Sequence, residues 1–178
     1  IKKSKEIIQE NLPELLSTIP DDNPWKERKE KHMEMTEKET HEILENHFKN
    51  KIVKENIELA DFISKMHDLG RYLQAKKIAG VFKDYDYKDF ENHGIAGVNL
   101  LERWSALDPF SQKVQEIIKY AIGHHSEKNT TPLPDNANNK DKNKFFYLCL
   151  VRDFDKYDGF CRKVDNYLFN EATKEKQI

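Results

Sequence analysis

A chain of 178 residues is long enough to bury one core. Its 37% hydrophobic residues cluster at helical spacing, which argues against disorder despite a 35% charged share. A formal net charge of -2 excludes a general basic footprint for a nucleic-acid polymer or an anionic membrane, so an anionic ligand must be met by local charge. Cys149 and Cys161 form no disulfide framework and lack the C-x-x-C spacing of a metal knuckle, so both are expected to be reduced and partly buried.

The chain starts at Ile1 and not at Met, which suggests a trimmed terminus or the interior of a longer chain. Its first residues hold no apolar signal segment, and no later run approaches about 18 apolar residues. A soluble, cytoplasmic protein without membrane contact is the expectation.

Residues 5–18 carry Ile7, Ile8, Leu12, Leu15 and Leu16 as a helical stripe interrupted by Pro13. A loop follows at 20–24, then a very charged segment at 25–35 that reads as a solvated helix. Residues 1–35 are thus expected to form an N-terminal helical extension to a main domain over 36–178. Thr36-Glu37-Lys38-Glu39 fits a capping box and predicts a helix over about 37–50. The next helix is expected over about 53–68, with Ile57, Ala60, Ile63 and Met66 on one side.

Residues 70–90 have scattered aromatics and little periodicity and read mostly as loop. Helices are predicted over about 91–104 and 109–124. Residues 126–142 are polar, carry two prolines and read as a long exposed loop. Phe145 to Asp158 is a strong apolar helix, and a short one ends the chain. No alternating strand pattern occurs, so the fold class is all-α.

The run Ser64-Lys65-Met66-His67-Asp68-Leu69-Gly70-Arg71-Tyr72 stands out. Gly70 can end the helix by entering a left-handed conformation. His67 and Asp68 are not needed for a stop. Other polar groups fall in similar places: His41 early in its helix, His93 near the start of another, His124 and His125 at the end of the next, and Asp155 above Val151 and Leu148. Each is about one helix and one loop from the last, so antiparallel helices could gather them at one centre. Burying such groups without partners costs a few kcal/mol. Imidazole mixed with carboxylate suits Mn, Fe, Co, Ni or Zn. Asp153 and Asp155 both have an apolar residue four positions back, so periodicity alone does not choose between them.

The order His41, His67-Asp68, His93, His124-His125, Asp155 resembles the HD-domain superfamily of metal-dependent phosphohydrolases. "MHDLGRY" is similar to that family's His-Asp-(Ile/Leu)-Gly-(Lys/Arg) core, "ENHGIAGVNLLE" to its His-x-x-x-Gly element, "IGHHS" to its Ile-x-x-His-His step, and "VRDFDKYDGF" to an Arg-Asp-Ala-Asp-Lys-Leu-Asp form. The likeness covers about residues 36–160. It implies a helical bundle around a buried metal site of one or two divalent ions. His41, His67, Asp68 and Asp155 would hold the first. Asp68 would bridge to a second held by His93, His124 and His125, or these histidines would bind phosphate beside a single ion. Within the Asp-Lys-x-Asp run it aligns Asp155 with the family's ligand. His32 and His47 have no matching motif position and read as ordinary surface or boundary residues.

The function implied is hydrolysis of a small phosphorylated substrate, a phosphomonoester, phosphodiester or nucleotide. His67 and Asp68 would stand at the reacting centre, and Arg71 and then Lys156 would meet the phosphate. A di-iron oxygenase and a non-catalytic nucleotide-binding module are the alternatives. Tyr85 or Tyr87 could stack on a base. After His125 the chain lacks the Asp-Gly-x-Gly-Tyr-Pro run of the cyclic-di-GMP phosphodiesterase branch. Oligomeric state is not readable from the sequence.

Overall fold

The structure, a computed structural model, describes residues 1–17, 19, 23–48, 52–77, 92–128 and 132–175. The described residues form seven helices and no strand: α1 (Lys2–Leu16), α2 (Pro24–Phe48), α3 (Lys54–Met66), α4 (Gly70–Lys77), α5 (His93–Arg103), α6 (Gln112–His124) and α7 (Asn139–Glu175). The all-α expectation holds. Tyr85 and Tyr87 lie outside the described residues.

The core sits where α2 and α7 pack on α3, with α6 against α7 and α5 against both α4 and α6. Phe62, Ile63, Leu69, Leu101, Ile118, Ile122 and Val151 are almost wholly removed from solvent. Each such side chain stabilises the fold by about 1.5–3 kcal/mol before chain entropy is set against it.

Several boundaries differ from expectation. The charged segment and the helix after the capping box are one helix, α2, which runs unbroken through Thr36. Thr36 does not cap. Its hydroxyl donates back to the carbonyl of His32 at 2.8 Å, as a mid-helix threonine does, and Thr40 repeats the pattern to Thr36 at 2.7 Å. The Lys/Glu-rich run before Thr36 has good helix propensity and Met33 gives it a buried foothold, so nothing stops the helix there. Likewise α7 is one long helix where two were expected, and it begins inside the expected loop. Residues 70–77 form the short helix α4 where loop was expected.

Gly70 does not act as the left-handed stop. It opens α4 and serves close approach: a Cβ there would fall 1.9 Å from the carbonyl oxygen of His93 on α5. Gly94 does the same one helix further on, where a Cβ would lie 2.3 Å from the carbonyl oxygen of Ile122 on α6. Only glycine lets three backbones meet so tightly. The His67-Asp68 turn, the start of α5 and the end of α6 are thereby pinned together.

Candidate metal centre

Six polar side chains converge at that junction. His32 comes from α2, His67 and Asp68 from the turn after α3, His93 from the first residue of α5, His125 from the end of α6, and Asp155 from α7. Five of them are buried and Asp155 is half-buried. The rings stack edge to face in a row, His32 to His67 at 5.1 Å, His67 to His125 at 5.0 Å and His125 to His93 at 4.8 Å between centroids.

Asp68 divides the cluster. On its Oδ2 side lie His32 Nε2 at 3.4 Å and His67 Nε2 at 3.8 Å. Those two nitrogens are 3.2 Å apart, and Asp155 Oδ1 is 3.1 Å from the first and 3.6 Å from the second. On its Oδ1 side lie His93 Nε2 at 3.2 Å and His125 Nε2 at 3.6 Å, themselves 3.0 Å apart. Donors held about 2.1 Å from one ion lie about 3.0 Å apart across a right angle and about 3.4 Å across a tetrahedral one. Two groups, each with metal-ligand spacing, therefore share one carboxylate.

Proton bookkeeping points the same way. A carbonyl can only accept, so the Nδ1 of His67, 2.6 Å from Ser64 O, carries the proton, as does the Nδ1 of His125, 2.7 Å from Ile122 O. The Nδ1 of His32 donates to Asp158 Oδ2 at 2.5 Å. Each of these rings therefore turns its Nε2 inward. The Nε2 atoms of His32 and His67 are 3.2 Å apart, a spacing that one proton bridges in the free protein and that a bound cation would bridge in its place, and fixing Nδ1 on a carbonyl or carboxylate is how proteins orient metal-binding imidazoles. The donor set fits a divalent transition metal.

The electrostatics are those of a cation site. Burial disfavours the imidazolium of His32, yet hydrogen bonding to Asp155 and Asp68 outweighs it and raises its pKa to about 9. Burial alone would raise Asp68, but His67, His125, His32 and His93 hold it well below the usual carboxylate range. Asp155 is lowered in the same sense, chiefly by His32 and His67 acting against its burial. Burial depresses His93, which keeps its ring neutral, the ligating form.

Two basic groups approach Asp68. Lys29, one turn before His32 on α2, sets its Nζ 2.5 Å from Oδ2. Arg71 sets its Nε 3.4 Å from Oδ1 and reaches Gln74 with Nη1 at 3.2 Å.

Not every expected residue is brought here. His41 is exposed and pairs with Asp61 at 2.8 Å, away from the cluster. It points outward because the inward stripe of α2 is His32, Thr36, Thr40 and Leu44, all buried, and nine residues of helix put His41 on the face opposite His32. His32 takes the place expected of His41. His124 is turned toward Glu127, with Nδ1 and Oε1 2.5 Å apart, and against Tyr120, so only the second histidine of the His-His step faces the centre. Lys156 is exposed, as is Asp153, which leaves Asp155 as the carboxylate from that run. His47 is exposed, as expected.

His32, Lys29 and Asp158 are the residues sequence reasoning missed. The four-residue recurrence from His32 through Thr36 and Thr40 to Leu44 was the available signal. Asp158 was visible as the second carboxylate of the Asp-Lys-x-Asp run.

The family model described as HD domain matches residues 30–159. The chain belongs to the HD-domain family, which places it in a superfamily of metal-dependent hydrolases. Searches of curated proteins and of solved structures found no match. Among the described residues no helix is long and apolar enough to cross a membrane.

Proposed function

We propose that this protein is a metal-dependent phosphohydrolase acting on a small phosphorylated substrate in the cytoplasm, with a nucleotide among the candidates. The observation that carries the reading is the pair of donor groups sharing Asp68, with three imidazoles held so that Nε2 faces inward. His32, His67, Asp68 and Asp155 would hold one ion, and Asp68, His93 and His125 a second. Bound there, a divalent ion would supply an acidified water and a Lewis acid for phosphoryl oxygens.

The chain's own groups do the rest. Asp158 fixes the orientation of His32. Ser64 O and Ile122 O fix His67 and His125. Arg71 offers a planar guanidinium at the rim of the Oδ1 side, suited to two oxygens of one phosphate. Asp68 stays ionised at neutral pH, the form that would bridge the two ions. Arg71 and Lys29, the basic groups beside the donors, favour an anionic substrate.

The test is to measure metal content of the purified protein and to assay phosphomonoesters, phosphodiesters and nucleotides with added Mn or Co. Turnover by wild type and none by Asp68→Ala is expected. Iron bound as purified with dioxygen consumption and no phosphate release would favour the di-iron alternative. Tight nucleotide binding without turnover would favour the non-catalytic one.

A further inference from the structure

The Lys29 ammonium holds the same carboxylate oxygen, Asp68 Oδ2, that faces His32 and His67. The contact is 2.5 Å, and the side chains of Lys29 and Asp68 are only 14% and 4% exposed, so water screens the pair little. Asp68 is the one residue common to both donor groups. An ammonium and a divalent cation cannot both sit against one oxygen without strong repulsion at such range. Arg71 is different in kind: it lies further off, at 3.4 Å, on the opposite oxygen, and has Gln74 as a second partner.

We propose that Lys29 is a phosphate-receiving side chain held in reserve by Asp68, so that metal loading and anion binding are coupled through it. The inference rests on the metal-site reading above and adds a regulation of that site. A cation that takes Asp68 Oδ2 displaces the ammonium, which needs a new anionic partner. A phosphate that takes the ammonium relieves Asp68 of its competitor. Linkage makes the two effects equal: phosphate tightens metal binding by the factor by which metal tightens phosphate binding. Lys29 therefore opposes metal loading when no anion is present and favours it when one is.

The test needs no turnover. Free Mn would be measured by electron paramagnetic resonance during titration of wild type, Lys29→Met and Lys29→Arg, with and without inorganic phosphate. In wild type, phosphate should tighten Mn binding by about tenfold, within the range ordinary for coupled sites. Lys29→Met should bind Mn more tightly than wild type in the absence of phosphate and lose most of the phosphate gain. Lys29→Arg should restore both behaviours. Equal or weaker Mn binding by Lys29→Met, or an unchanged phosphate gain, overturns the proposal while leaving the metal site standing. Failure of wild type itself to bind Mn, Co or Zn would overturn the metal-site reading as well, which separates the two failures.

Discussion

His32 and Asp158 lie 126 positions apart in the chain and share a hydrogen bond of 2.5 Å deep in the bundle. Nδ1 donates, so the carboxylate sets both the tautomer and the tilt of the ring. Asp158→Asn keeps the shape but weakens the acceptor and can present an amide donor instead. Metal affinity is expected to fall by about 10–100-fold, the usual cost of losing such an orienting partner. Isothermal titration with Mn or Zn would check it; an unchanged affinity would show that Asp158 does not orient a ligand.

A paired comparison separates the two candidate histidines of α2. His32→Ala should lose the ion assigned to His32, His67, Asp68 and Asp155, while His41→Ala should leave the metal content within about twofold. The basis is burial of the first against exposure of the second. Elemental analysis after dialysis reads both. Metal lost from His41→Ala and kept by His32→Ala would reverse the assignment.

The glycine contacts make opposed predictions. Gly70→Ala and Gly94→Ala press a methyl into backbone, and each should cost about 3 kcal/mol or more, seen as a lower thermal midpoint. Gly159→Ala meets nothing within 4 Å inside α7 and should raise stability by about 0.5–1 kcal/mol.

Glu37 joins three helices through Lys5 of α1 at 2.9 Å and Lys65 of α3 at 2.7 Å. Burial would raise its pKa, but the two ammonium groups outweigh burial and lower it from 4.5. A depressed folded pKa means the contribution is present above about pH 4.5 and lost as pH falls through the folded value. With partners 38% and 35% exposed, solvent screening limits it to about 1 kcal/mol. Urea titration should show wild type more stable than Glu37→Gln by that amount at pH 7, with the gap closing on acidification. A gap that widened toward acid would refute the sign.

Fold class was legible because the apolar stripes of α3, α5 and α6 have clear helical period and clear polar boundaries, whereas the helix count was not, since α2 and α7 each join two expected helices and α4 lies in an expected loop. The His67-Asp68, His93, His125 and Asp155 contributions were legible because each sits in a short local pattern. His32 was not, since it lies in a run of lysines and glutamates whose period is masked by charge. Its burial follows from where α2 crosses α7, a long-range fact. Thr36 and Glu39 mimic a helix start well enough to mislead, because a back-bonding threonine and a capping threonine look alike in sequence. Gly70 misled for a similar reason: a glycine kept for proximity cannot be told from one kept for its torsion angles.

The unbroken course of α2 has a practical consequence. Shortening the protein to begin at Thr36, where the capping pattern invites it, would discard His32 and Lys29, both of which reach Asp68. What remained would still carry His67, Asp68 and most of the apolar interior. The amino-terminal half of α2 is therefore part of the domain and not an appendage to it, and a boundary drawn at Thr36 would cut through the cluster itself.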